Sequence, residues 1–331
     1  MISLKFLVIP LLFLASAAAG QLPFNEQQFL SRLKTEGTLP ETLLNSRTVV
    51  FYPFTMTEKE LEKVQKSFQR TGIDAVVYFE NDLVSAGRDA SVGLGSYLNK
   101  REVTNLVYFR KDADGYTVYI TKYNQKANLV EQGQSAWMHR NRALDVMLQN
   151  LYRTAANALK KENLLINDIP EKGFDINIIE GRRNEFFAID LKVDELAVPK
   201  FGDEAMDREL EEIMKLYPFK YRLTEPGLSE GELRKQGFLF VLRFVHSRNK
   251  VARNLLDYDM TRSQSAIVSL SYDEDKQLLK NLSVNEVVYK FYFKHIEAGD
   301  VFLGTKWDAD PQWQQALKSQ LYGFKIEFKV N

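Results

Sequence analysis

Cysteine is absent from the whole chain of 331 residues. That excludes disulfides, thiol catalysis, thiolate metal sites and the lipid-bearing cysteine that would tether an exported bacterial lipoprotein. The fold must be held by its apolar core, which a chain of this length can build as two domains of ~100 to 200 residues each. An excess of either charge is missing too: Lys plus Arg and Asp plus Glu both number 44, so no global field steers polyanions and nucleic acid is not an expected partner. Histidine is scarce. His139, His246 and His295 lie in different elements without an i, i+4 partner, so no zinc site is expected. Phosphate-binding glycines are also lacking, since Gly93-Leu94-Gly95 has no third glycine and no Gly-Lys-Ser/Thr follows it. No cofactor and no metal is expected.

Long hydrophobic runs are confined to the start. Lys5 precedes the apolar run Phe6 to Ala15, and the small residues Ser16-Ala17-Ala18-Ala19-Gly20 follow. This is the pattern of a cleavable export signal over residues 1–20, and the run is shorter than the ~20 apolar residues a spanning helix needs. The expectation is an exported chain starting near Gln21, not membrane-spanning after cleavage, in the periplasm or secreted. A disulfide-free exported protein of this size points to a bacterial envelope, which the lone Asn281-Leu282-Ser283 sequon does not offset.

Thr48 to Tyr52 is β-branched and aromatic and ends at Pro53, as a strand does. Thr57 and Glu60 then form a capping box, Leu61, Val64 and Phe68 line one helix face, Gly72 stops the helix, and Ile73 to Phe79 reads as a buried strand. The same order returns: strand Phe219 to Leu223, turn Pro226-Gly227, capping box Ser229 and Glu232, Gly237, strand Phe238 to Val245. Tyr108-Phe109-Arg110 and Tyr292-Phe293-Lys294 are followed at equal spacing by Gly115 and Gly299, then by Thr121-Lys122-Tyr123 and Thr305-Lys306-Trp307, so both read as β-hairpins. Trp137 and Trp313 each precede a helix bearing Ala-Leu, at Ala143-Leu144 and Ala316-Leu317.

These correspondences predict an α+β fold of two tandem mixed-sheet α/β units with helices mainly on one face. The first domain is 21–163 with its repeat core at 47–163. The second is 164–331, comprising a strand-rich connection 164–217 and a repeat core 216–331. In the connection, Phe174 to Ile179 and Phe186 to Val193 are expected strands and Ala205 to Leu216 a helix. The element order, with phrases such as Gly72-Ile73-Asp74-Ala75-Val76-Val77, resembles small α/β modules of bacterial envelope assembly proteins. Examples are the amino-terminal domain of the Tol-Pal propeller protein and the curli-secretion lipoprotein. No diagnostic motif or site residue carries over from that resemblance.

Reaction chemistry is thin. Asp112-Ala113-Asp114-Gly115 opens like a calcium loop, but the closing glutamate position holds Tyr123. Asp308-Ala309-Asp310 precedes Pro311 and suits helix capping better than a divalent ion. Ser31-Arg32-Leu33-Lys34 lacks the companion triplets of penicillin-interacting enzymes, and Asp190-Leu191-Lys192 fits an edge strand. The basic stretch Arg243 to Arg253 and the acidic stretch Asp203 to Glu212 read as solvated faces. Glu80 and Asp82, just past a buried strand end, leave a hydrolase as the alternative. Aromatic residues crowd the hairpins, and Tyr108, Tyr116, Tyr123, Tyr292 and Trp307 are the candidate partner-binding surface. The expected function is a non-catalytic binding or assembly protein whose partner is an envelope protein or a glycan.

Overall fold

A computed structural model describes residues 26–258, 265–273 and 276–330, so residues 1–20, the expected export signal, lie outside the described residues. The chain runs α1 (Glu26–Ser31), β1 (Leu33–Thr35), β2 (Arg47–Tyr52), α2 (Glu58–Thr71), β3 (Asp74–Glu80), α3 (Arg88–Lys100), β4 (Val103–Asp112), β5 (Gly115–Lys122), β6 (Gln134–Asn141), α4 (Leu144–Ala158) and β7 (Glu171–Lys172). It continues with β8 (Arg183–Asn184), β9 (Leu196–Pro199), α5 (Glu204–Met214), β10 (Tyr221–Thr224), α6 (Glu230–Lys235), β11 (Phe240–Arg248), α7 (Asn249–Leu255), β12 (Ala266–Asp273), β13 (Lys276–Ser283), β14 (Val287–His295), β15 (Val301–Phe302) and α8 (Trp313–Phe328). The class is α+β with two mixed sheets, as the periodicities imply.

The first sheet has the order β1-β6-β5-β4-β2-β3-β7 and the second β10-β9-β11-β14-β15-β8. Read from the other edge, the second is β8-β15-β14-β11-β9-β10. Each strand of the second sheet has a counterpart with the same sense in the first, where β7 is extra: β1 is parallel to β6 as β8 is to β15, β4–β5 antiparallel as β11–β14, and β2 parallel to both neighbours as β9 is. The tandem repeat therefore spans Leu33–Ala158 and Arg183–Phe328.

Its register differs from the sequence reading by one strand-helix unit. Tyr108 lies on β4 and Tyr292 on β14, which hold different places in the two sheets, and the partner of β2 is β9, not β10. The slip comes from β9: four residues, Leu-Ala-Val-Pro, buried on both faces, carry no alternation to announce a strand. The segment 164–217 thus supplies β8, β9 and α5 of the second unit. Phe174 to Ile179 and Phe186 to Val193 are not strands. The 3₁₀ turns Gly173–Asp175 and Ile189–Lys192 fall there instead, with Ile189 and Val193 exposed around buried Leu191. In the second unit α7 and the β12–β13 hairpin also separate the strands that a tight Asp114-Gly115 turn joins in the first.

Capping chemistry is as expected. The Thr57–Glu60 and Ser229–Glu232 boxes both close reciprocally, and Gly72 ends α2 in the left-handed region. Helices α2 and α4 cover one face of the first sheet through Val64, Phe68, Met147 and Leu151, and α5 and α8 cover the second through Leu210, Leu317 and Phe324. The opposite faces meet in one shared core, where Phe51, Phe79 and Leu94 of the first unit join Val251, Leu255, Val288 and Trp307 of the second. Backbone crosses the seam as well, the His246 amide donating to the Ala86 carbonyl at 3.0 Å.

Candidate functional site

The carboxyl ends of parallel β2 and β3 open into a groove of about 800 Å³. Crevices at this end of parallel strands are where open α/β sheets seat ligands. Tyr52, which ends β2, and Tyr78 of β3 contribute, with Phe54, Met56 and Leu61. One wall is the face of α2 that presents Glu58, Glu62, Gln65, Lys66 and Gln69, successive turns of one stripe. The other is the chain from Asp168 to Lys172 with Phe174, held beside β3 by β7 pairing. Lys250, at the start of α7, reaches in from the second unit and lies over the Phe174 ring at 4.7 Å.

Hydrogen bonds close the groove toward the end of α2. Gln65 Nε2 donates to the Asn167 carbonyl at 2.7 Å while its Oε1 accepts from the Tyr78 hydroxyl at 2.8 Å, and Gln69 Nε2 donates to Asp168 at 3.1 Å. At the start of α2, Lys172 and Glu58 span the two walls at 4.0 Å, both well exposed.

Glu80 lines the groove, and its carboxylate pairs with Arg248 of the second unit. Asp82 accepts from Arg248 Nε at 3.0 Å, Asn285 accepts from its Nη1 at 3.1 Å, and Phe54 packs on the guanidinium face at 4.1 Å. Burial lowers Arg248 to about 10 and raises Asp82 to about 6, although the ion pair keeps both groups charged at neutral pH. The two carboxylates of the hydrolase alternative are thus engaged by one buried cation across the seam. Arg248 and Arg243 belong to the stretch expected to be solvated; both are buried, Arg243 against Asp89 at 3.3 Å. Carboxylates of the first unit meet both, Asp89 at Arg243 and Glu80 with Asp82 at Arg248.

The aromatic candidates do not form one surface. Tyr108, Tyr123, Tyr292 and Trp307 are buried, their rings part of the shared core. Tyr108 donates to Glu26 at 3.1 Å, Tyr123 to the Gly95 carbonyl at 3.2 Å and Tyr292 to Asp89 at 2.8 Å. Only Tyr116 is partly exposed, and its hydroxyl is held by Glu60. They are core because the face of each large sheet that carries them packs against the other unit.

The short acidic motifs have local partners. Asp308 pairs with Lys290 and Asp310 with Lys280, each at 2.6 Å, and Asp310 also caps the Gln312 amide at 3.0 Å. Among the described residues no group of three or more histidine, aspartate or glutamate side chains could hold a metal ion. No helix among them is long and apolar enough to cross a membrane. Sequence reasoning missed Phe54, Leu61, Gln65, Ile169, Phe174 and Lys250, whose only local signal is apolar residues such as Ile169 in a stretch of no regular structure. No family model, no curated protein and no solved structure matches this chain.

Proposed function

We propose that this chain is an exported, non-catalytic binding protein of a bacterial envelope that takes a protein segment of its partner into the groove at the carboxyl ends of β2 and β3. One observation carries this reading. The groove has an aromatic and aliphatic floor of Tyr52, Phe54, Met56 and Leu61, while Glu80, the lining carboxylate at the end of β3, and its neighbour Asp82 are committed to Arg248. An apolar floor with a mixed-charge rim suits an extended segment whose apolar side chains point inward and whose backbone and polar groups stay wet. A carboxylate on a buried guanidinium is a poor general base, since accepting a proton costs it the ion pair. The apolar run before Gln21 and the missing cysteines support the envelope setting.

Selection of a displayed peptide library on the chain from Gln21 onward tests it. Peptides with alternating apolar residues should be recovered, and Ile169→Asp, a change at an exposed wall position, should weaken them about tenfold or more. A hydrolytic activity abolished by Glu80→Gln would overturn the reading, as would peptides indifferent to Ile169→Asp and Leu61→Glu.

A further inference from the structure

The groove adjoins an apolar projection. Leu164, Leu165 and Ile169 are 93%, 91% and 85% exposed within a single short stretch of chain. Large apolar side chains this bare and this close together mark interaction sites on soluble proteins. Nor is the stretch slack. The Glu162 and Asn163 amides both donate to the Leu44 carbonyl, at 3.0 and 2.8 Å, and the Asn163 side chain donates to the Gly72 carbonyl at 3.0 Å. The Asn167 amide then donates to Asp74 at 2.9 Å. The leucines are therefore held outward between anchored neighbours, at no ordering cost to a partner.

The same stretch runs on into the groove wall, where Ile169 belongs to both features. Knob and groove lie side by side on one face of one chain. That is the arrangement a two-fold axis needs to seat each copy's knob in the other's groove, closing the assembly at two copies. Charge fits as well. Glu62 on the groove rim and Lys161 beside the knob have no ion-pair partner among the described residues, and reciprocal seating brings opposite signs together across the contact.

We infer that the protein forms a symmetric dimer in which Leu164 and Leu165 of each copy occupy the groove of the other. This rests on the reading of the groove as a seat for a protein segment and names that segment as one of the chain's own. Sedimentation velocity over micromolar to millimolar concentrations tests it. The native chain should sediment as a dimer, and Leu164→Glu with Leu165→Glu should weaken association by about a hundredfold or more. Both leucines are so exposed that folding is unaffected, which circular dichroism verifies. Lys161→Glu alone should weaken the dimer about tenfold, and adding Glu62→Lys should restore it.

A native chain that is monomeric throughout, or a dimer indifferent to the leucine and charge variants, overturns the inference. Peptide selection on the double-leucine variant, whose groove is open, reports separately on the groove. Peptides bound there by a chain that is natively monomeric would overturn the dimer and leave the groove reading standing.

Discussion

Glu60 shows how one side chain can serve two elements. It receives the Thr57 amide at 2.6 Å, Lys111 at 2.9 Å and the Tyr116 hydroxyl, tying the start of α2 to the β4–β5 hairpin. Partial burial alone would raise its carboxyl, but these donors prevail and bring it down to about 2. Because the folded value lies below the unfolded one, the contribution to stability is complete above about pH 4.5 and is lost as pH falls toward about 2. Urea unfolding of Glu60→Gln should show a loss of about 1–2 kcal/mol at neutral pH that shrinks to nothing near the acid end of that window. The capping half of this role was legible, since Thr-x-x-Glu before an apolar stripe is a local signal. The hairpin half was not, because Lys111 and Tyr116 are distant in sequence. Lys290 makes the same point more strongly. Between Tyr289 and Phe291 it reads as an outward residue on an amphipathic strand, yet it is buried, bonded to the Leu303 carbonyl at 2.8 Å, Gln320 at 2.6 Å and Asp308 at 2.6 Å. Burial lowers the lysine and raises the aspartate, and their attraction opposes both shifts. Lys290→Met should cost about 3–5 kcal/mol in chemical denaturation, because Asp308 is left buried without its cation.

At the scale of elements, α3 is a helix made to be approached closely. Gly93 and Gly95 lower its helix propensity, but a Cβ at Gly93 would collide with the Ile178 carbonyl, and one at Gly95 would press on the Ala127 backbone at 3.2 Å. Gly93→Ala gains about 1 kcal/mol in propensity and loses more to overpacking. A net destabilisation of about 1–3 kcal/mol in thermal unfolding is expected, and an unchanged midpoint would count against this account of α3. The glycine pair was visible in the sequence, but its reason was not, since the backbone that crowds it comes from a distant stretch. Strands divide along the same line. Those with β-branched runs and turn residues, such as β2 and the β4–β5 hairpin, announce themselves. Strand β9 does not, being short and wholly apolar, and Phe186 to Val193 alternates without becoming a strand. Alternation describes which side chains can face a core; pairing requires an open edge beside them.

At the scale of the molecule, both sheets bury a face in one core and a buried cation joins them at Arg248. The units should therefore unfold together, and calorimetry should show a single transition despite the internal repeat. Arg248→Met should lower that transition by the equivalent of about 3–5 kcal/mol, because Glu80 and Asp82 lose the charge that holds them. The sequence by itself determined the α+β class, the helix caps and the hairpin turn, all of which rest on residues a few positions apart, and it pointed to the duplication through strands that are not equivalent in the two sheets. Only the tertiary structure decided the register of the repeat, the burial of the aromatic candidates and of Arg243, Arg248 and Lys290, and the groove. Each depends on which distant surfaces meet, and burial of a side chain is a property of its partners rather than of its neighbours in the chain. The feature most open to sequence, an absence of cysteine, thus finds its counterpart in the fold: a disulfide-free chain held by a core that both units share.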